Sequence, residues 1–126
     1  MHLPFRKETL TIFAPAIIWA IVIFALSISA GVQVPKALEK LGAPDKLAHA
    51  AAYFVLALLW IRAFYASKQS FTKAVAWGLG LSISFGILME IIQFCFFPHR
   101  YFEFLDIVAN IIGSLLSVFV FYFLIK

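Results

Sequence analysis

The chain has 126 residues, of which 64% are hydrophobic, 17% are aromatic and only 13% are charged. Soluble domains carry roughly 25% charged residues, and a small domain has the most surface to cover per residue, so the composition argues against a water-soluble globule. The net charge of +4 is too small to follow a nucleic-acid backbone, and a single cysteine excludes an internal disulfide framework and a cysteine zinc site. The composition favours the lipid bilayer as the solvent of this protein.

Charged residues divide the sequence into four apolar segments, at about residues 10–30, 46–65, 74–97 and 104–125. Each is close to the ~20 residues that cross a hydrocarbon core of ~30 Å. Backbone amides in lipid must be hydrogen-bonded within their own segment, and no segment alternates as a barrel strand would, so the segments are expected to be helices. The sequence therefore predicts an all-α fold, a four-helix transmembrane bundle forming a single domain over residues 1–126.

The first segment follows Arg6 and Lys7, as the apolar part of a secretory signal peptide would. Its apolar run is longer than the ~7–15 residues of such a signal, so we expect a retained helix. Pro15 is expected in the first turns, where its missing N–H costs little. Short connections at about 31–45, 66–73 and 98–101 predict that consecutive helices are antiparallel.

Lys and Arg counts predict the orientation, because cytoplasmic loops are enriched in both. Six lie at or beside the amino terminus, the second connection and the carboxyl terminus, counting Arg62, against four at or beside the first and third connections, counting Lys46. This bias favours both termini in the cytoplasm. Four aromatic residues would then form a belt at the cytoplasmic interface, namely Trp60, Tyr65, Trp77 and Tyr122.

The remaining polar residues are predicted to converge at the outer end of the bundle. Helix two begins there with side chains spaced along one face, helix three ends there, and helix four begins there, because the helices are antiparallel. The predicted ligand-binding or polar cluster comprises Asp45, Lys46, His49, Tyr53, Glu90, Gln93, Arg100, Asp106 and Asn110.

Glu90 is the most informative of these residues, since an intramembrane carboxylate costs on the order of 2.5–3.5 kcal/mol on insertion scales and suggests a function. Gly78, Ser82 and Gly86 precede it at four-residue intervals. Small residues at that spacing let helices approach closely in lipid, so Glu90 is expected in the bundle interior. Its expected countercharge is His49, Lys46 or Arg100.

Structural roles remain open for the same residues. Glu90 could simply be hydrogen-bonded to Gln93 or to a neighbouring helix. Asp45 could cap helix two, because Asp is a favoured capping residue. Asp106 could simply be stabilised by the positive end of the helix dipole at the amino terminus of helix four.

Three short motifs occur in order on helices two to four: Asp45-Lys46-x-x-His49-x-x-x-Tyr53, then Glu90-x-x-Gln93 with Pro98-x-Arg100, then Asp106-x-x-x-Asn110-x-x-Gly113. Together they resemble the VanZ-like family of small bacterial membrane proteins, over about residues 45–114. The resemblance implies a multi-pass protein of the bacterial cytoplasmic membrane. The namesake type is associated with low-level resistance to the lipoglycopeptide teicoplanin.

Three functions are compatible with this sequence. The preferred one is binding of an anionic headgroup, polyprenyl-phosphate-linked or part of a lipoglycopeptide, with donors from Lys46, His49 and Arg100 and a groove of phenylalanines for the lipid chain. The second is a structural or accessory membrane subunit. The third is an intramembrane enzyme using His49, Glu90 and Asp106 as general acid, base or metal ligands. No nucleophile with an adjacent base and no H-E-x-x-H motif occurs in the sequence, so we assign no catalytic residue, cofactor or metal, and we expect membrane lipids rather than nucleic acid as partners.

Overall fold

The computed structural model of the chain describes residues 5–28, 44–96 and 104–125, with side chains from residue 8 in the first range and from residue 46 in the second. These ranges form four helices, α1 (Phe5–Ile28), α2 (Pro44–Ala66), α3 (Phe71–Phe96) and α4 (Phe104–Ile125). Every described residue outside the connection 67–70 is helical. All four helices are long and apolar enough to cross a membrane. The all-α prediction is confirmed, and the chain is a multi-pass membrane protein.

The first two helices begin earlier than their apolar segments. α1 begins at Phe5, because polar residues such as Arg and Lys are good helix formers and hydrophobicity alone does not mark a helix start. Pro15 is therefore inside α1 and not in its first turns as predicted. It has no N–H to donate to the carbonyl of Thr11. α2 begins at Pro44, a residue favoured at the first helical position, so Asp45 lies within the first turn and does not precede the helix as the predicted cap.

The connection between α2 and α3 is shorter than the predicted 66–73. Ser70 caps α3: its Oγ accepts a hydrogen bond from the Lys73 N–H at 3.2 Å, and its carbonyl accepts one from the Ala74 N–H at 2.8 Å. A serine cap satisfies donors that the first helical turn would leave unpaired. The helix therefore includes Lys73. The predicted connection at 31–45 overlaps the start of α2 at residues 44 and 45, and its residues 31–43, like the predicted turn at 98–101, lie outside the described residues.

α2 packs against each of the other three helices, and its contacts with α1 show that the two are antiparallel. The ring of Phe13, early in α1, lies 5.1 Å from the ring of Phe64, late in α2. Trp19, further along α1, donates from Nε1 to the carbonyl of Ala52, earlier in α2, at 2.9 Å. Residues early in α1 thus lie beside residues late in α2, so these two helices are antiparallel, as predicted for consecutive helices.

α3 and α4 are also antiparallel. Phe71 at the start of α3 stacks on Phe121 near the end of α4, with ring centroids 6.3 Å apart. The hydroxyls of Ser82 and Ser114, in the middle of the two helices, are 2.8 Å apart and hydrogen-bonded. The starts of α2 and α4 and the end of α3 consequently lie at the same end of the bundle.

Two glycines allow the helices to approach α2 closely. A Cβ atom added to Gly78 of α3 would overlap Ile61 of α2, and one added to Gly113 of α4 would overlap the backbone carbonyl of Ala50. Small residues at such crossings permit backbone contact between membrane helices. The backbone of α2 is therefore held directly between α3 and α4, which fixes the depth at which their polar side chains meet.

Aromatic rings gather at the end of the bundle opposite the polar residues. Trp60 lies 6.2 Å from Phe64, and Phe64 stacks on Trp77 at 6.1 Å. Tyr65 meets Phe121 edge to face at 5.5 Å. The aromatic residues predicted to form one belt are thus at one end of the bundle, where amphipathic rings suit a membrane interface.

We predict that Gly113→Ala lowers the free energy of unfolding by about 1–3 kcal/mol, the usual cost of overpacking a tight contact, because the new methyl group would overlap the Ala50 carbonyl. Gly80→Ala is the matched control, since nothing beyond its chain neighbours and the adjacent backbone of its own helix lies within 4 Å of its added Cβ. Unfolding in mixed detergent–SDS micelles, followed by circular dichroism, measures both. Equal stability of the two variants would contradict the close packing of α2 and α4.

Candidate functional site

Four polar side chains from three helices meet at the end of the bundle where α2 and α4 begin and α3 ends. At a rise of 1.5 Å per residue, all lie within about 10 Å of a helix end. They form what we call the polar cluster: Lys46, His49, Glu90 and Asp106. The structure therefore brings these four sequence-predicted residues together at one end of the bundle.

Asp106 joins α4 to α2 within the polar cluster. Its Oδ1 accepts a hydrogen bond from Nζ of Lys46 at 2.5 Å, and its Oδ2 lies 3.6 Å from Nε2 of His49. Lys46 and His49 are three residues apart and share one face of α2, so both reach the same carboxylate. Lys46 is one of the countercharges predicted for Glu90, and the structure gives it an ion pair with Asp106.

Glu90 faces the bundle interior, as predicted. Its side chain is only 3% exposed, and Gly78, Ser82 and Gly86, which precede it at four-residue intervals, are buried too. One ligand-capable atom each from His49, Glu90 and Asp106 lies within 4.8 Å of the others. Two carboxylates and an imidazole therefore converge in a region that neighbouring helices shield from the surroundings.

Asn110 lies one helical turn deeper than Asp106 on α4 and is only 2% exposed. Its Oδ1 is buried and has no hydrogen-bond partner among the described residues, and a buried unsatisfied polar atom costs about 1–3 kcal/mol. Gly86 makes room for it, because a Cβ there would lie 2.9 Å from the Asn110 Nδ2 and 3.1 Å from Cε1 of Tyr53. The sequence-predicted Tyr53 itself packs in the apolar core with Ile23 and Leu56.

Gln93 links α3 to α1. Its Nε2 donates to the carbonyl of Ser27 at 3.0 Å, near the end of α1, and the residue is buried. The sequence predicted Gln93 as a member of the cluster beside Glu90. It did not indicate that Gln93 contacts α1, because the acceptor there is a backbone carbonyl. The hydrogen bond makes Gln93 a contact between helices at the same end of the bundle.

Ser114 is a buried polar residue that sequence reasoning did not single out. It is fully buried, bonds the Ser82 hydroxyl and accepts from Oγ of Ser117 through its carbonyl at 2.6 Å. The sequence signal that could have identified Ser114 is its position four residues after Asn110, which places both residues on the same face of the helix. Two predicted members of the site, Arg100 and the side chain of Asp45, lie outside the described part of the chain.

The two sides of the polar cluster differ in exposure. The side chains of Lys46 and His49 are 30% and 26% exposed, whereas that of Asp106 is 8% exposed. Basic and imidazole groups thus form an accessible edge above buried acids. Such an arrangement can receive an anionic group at the edge or a cation among the acids.

Comparison of the chain with protein-family models, with curated proteins and with solved structures gives no match. The functional conclusion therefore depends on the geometry and charge of the polar cluster.

We predict that Lys46 and Asp106 are energetically coupled. In a double-mutant cycle of Lys46→Gln and Asp106→Asn, the coupling in unfolding free energy should be on the order of 1 kcal/mol, because hydrogen bonds to charged groups contribute about 1.5–3 kcal/mol and partial exposure of Lys46 reduces this value. Unfolding in mixed detergent–SDS micelles measures the unfolding free energies of the unmodified protein, the two single variants and the double variant.

Lys73→Gln combined with Asp106→Asn is the control cycle, because the exposed Lys73 lies in the first turn of α3, at the other end of the bundle. That pair should be additive within about 0.3–0.5 kcal/mol, as distant sites are. Additivity of the Lys46 cycle within the same limit would refute the ion pair.

Proposed function

We propose that this multi-pass membrane protein binds the anionic headgroup of a lipid-linked molecule at the polar cluster. The observation that carries the proposal is the accessible edge formed by Lys46 and His49 above buried carboxylates. An ammonium group has three donors, so a bond to Asp106 does not prevent a second bond to a phosphate or carboxylate oxygen. Charge-assisted hydrogen bonds of this kind are about twice as strong as neutral ones.

The surface beside the polar cluster suits a hydrocarbon chain. Phe94 and Phe96 of α3 and Phe104 of α4 are 58%, 74% and 67% exposed, and they lie at the same end of the bundle as the basic edge. A lipid bound there would place its headgroup at Lys46 and its acyl or prenyl chain along these rings. A polyprenyl phosphate or a lipoglycopeptide has both parts.

The resemblance to the VanZ-like family is part of the same proposal. It rests on three motifs whose members His49, Glu90 and Asp106 lie within reach of one another, which supports a common role for the motifs. Membership would make the chain a bacterial cytoplasmic-membrane protein and would make teicoplanin a ligand worth testing. With both termini cytoplasmic, as the Lys and Arg bias favours, the polar cluster would open toward the outer leaflet.

A structural or accessory role is the second candidate, favoured by hydrogen bonds that join helices. Gln93 bonds α1, and Ser82 bonds Ser114 of α4. Measured hydrogen bonds between membrane helices average only about 0.6 kcal/mol. Burying two carboxylates in lipid costs more free energy than such a hydrogen bond contributes. Headgroup binding is therefore the preferred function.

We predict that the protein retains a polyprenyl phosphate in native mass spectrometry and that Lys46→Gln weakens this binding at least about 10-fold, the equivalent of one charged hydrogen bond of about 1.4 kcal/mol. Detergent-solubilised protein is titrated with the polyprenyl phosphate, and phosphatidylcholine serves as the zwitterionic comparison. Teicoplanin added to the preformed complex tests whether a lipoglycopeptide occupies the same site.

Lys73→Gln is the matched control, because it removes the same charge at the other end of the bundle. It should bind like the unmodified protein. Equal weakening by Lys73→Gln and Lys46→Gln, or equal retention of phosphatidylcholine, would show that the polar cluster does not select an anionic headgroup. The accessory role would then be the better explanation.

We also predict that the 67–70 connection faces the cytoplasm. Gln69→Cys in a Cys95→Ser background should react with a membrane-impermeant maleimide in inside-out vesicles and not in right-side-out ones, because the positively charged side is retained in the cytoplasm. His99→Cys in the same background should show the opposite pattern. The reverse result for both cysteines would place the polar cluster at the cytoplasmic leaflet.

A further inference from the structure

We infer that the polar cluster is a binding site for a divalent transition-metal ion, with His49, Glu90 and Asp106 as its ligands. These residues come from three different helices, and one ligand-capable atom of each lies within 4.8 Å of the others. The inference does not require the proposed lipid ligand, because it depends only on the donor atoms and their arrangement.

The spacing of the donor atoms is close to that of a metal site. Ligands at the ~2.0–2.1 Å typical of zinc sites are about 3.3–3.4 Å apart when arranged as a tetrahedron. Nε2 of His49 and Oδ2 of Asp106 are 3.6 Å apart. The widest pair, at up to 4.8 Å, needs to contract by about 1.4 Å, which rotations of two side chains can share.

The two carboxylate oxygens of Asp106 contact different side chains. Lys46 donates to Oδ1, while Oδ2 is the atom that faces His49. A partner that hydrogen-bonds the non-ligating oxygen holds a metal-binding carboxylate in orientation. Lys46 is therefore a positioning residue for the metal as well as part of the basic edge.

Charge balance favours a cation among the buried acids. Two carboxylates lie beside one ammonium group and one imidazole in the polar cluster, and buried carboxylates in lipid need positive charge close by. A divalent ion would add two positive charges beside them. The occupied site would then attract an anionic group to its accessible edge.

Asn110 provides a second, independent indication of a ligand. Within the described part of the chain, its buried Oδ1 has no hydrogen-bond partner, and the residue is one helical turn from Asp106, a spacing that separates Cβ atoms by about 5–6 Å. Three protein ligands leave a fourth position for water on a zinc-type ion. Water bound there is a donor that could satisfy the Asn110 oxygen, as ordered waters do for other buried polar groups.

The donor set also selects the class of metal. Imidazole favours Zn²⁺ and neighbouring transition ions, whereas Mg²⁺ and Ca²⁺ prefer oxygen ligands alone. His49 is 26% exposed along its side chain, so an ion can approach beside it. We therefore expect binding of Zn²⁺, and of Co²⁺ as its spectroscopic substitute, in preference to Mg²⁺.

The experiment is a titration of tag-free, chelator-stripped protein with Zn²⁺ by calorimetry, and with Co²⁺ by visible absorption, in a neutral detergent without added lipid. We expect a single saturable ion per chain that excess Mg²⁺ does not displace. Loss of a supporting partner of a ligand costs 10–100-fold in metal affinity, so His49→Ala and Glu90→Gln, which remove ligands, should each weaken binding by at least about 100-fold.

Glu8→Gln is the matched control, because Glu8 is an exposed residue of α1, and it should bind like the unmodified protein. Should His49→Ala fail to fold, the near-isosteric Glu90→Gln carries the test, together with a Zn²⁺-dependent rise in the Tm of the unmodified chain. Absence of saturable binding, or equal affinity in Glu90→Gln and Glu8→Gln, would overturn the metal site. Since no anionic lipid is present, neither result bears on headgroup binding.

Discussion

The buried carboxylate of Asp106 is the constraint on which the site depends. An acid in the first turn of a membrane helix needs compensation within the protein, because lipid offers none. Lys46 and His49 provide it from the first turns of α2. Their reach is short, so α2 and α4 must begin at the same depth. This requirement brings the exposed edge of α2 above the acids and places Glu90, at the end of the antiparallel α3, beside them. The ion pair therefore fixes the register of α2 against α4 as well as compensating charge.

Glycines make this register possible, because they let α2 contact the backbones of its neighbours. Gly113 meets the carbonyl of Ala50, and Gly78 meets Ile61. Gly86 has a different role, since the space above it is filled by the amide of Asn110 and the ring of Tyr53. The row of small residues on α3 therefore changes from a packing surface to the wall of a polar region as it approaches Glu90. Van der Waals contact is the main attraction between helices in lipid, and here it determines which polar groups meet.

Much of this arrangement could be predicted from the sequence because lipid leaves few structural choices. Four apolar segments predicted four helices, and the spacing of Gly78, Ser82 and Gly86 correctly predicted that Glu90 is interior. The ion pair of Lys46 with Asp106 could not be assigned from the sequence, because Glu90 and Asp106 are both within reach of the start of α2 and the packing of α4 brings Asp106 to it. The bond from Gln93 to Ser27 was also hidden, since a backbone carbonyl leaves no signature in the sequence. The start of α1 was missed because its first turn contains charged residues that form helix without being apolar.

Stability and binding are connected in this site. The two acids, the lysine and the histidine join three helices, and the buried carboxylates stabilise this contact only to the extent that positive charge nearby compensates them. Anything that binds the folded state and not the unfolded one stabilises it by mass action, so a cation among Glu90, His49 and Asp106 would strengthen the bundle. The same cation would add positive charge to the site and favour an anion at Lys46. A structural role and a binding role of the polar cluster are therefore compatible, because buried carboxylates that need positive charge nearby to stabilise the bundle are also suited to bind a cation.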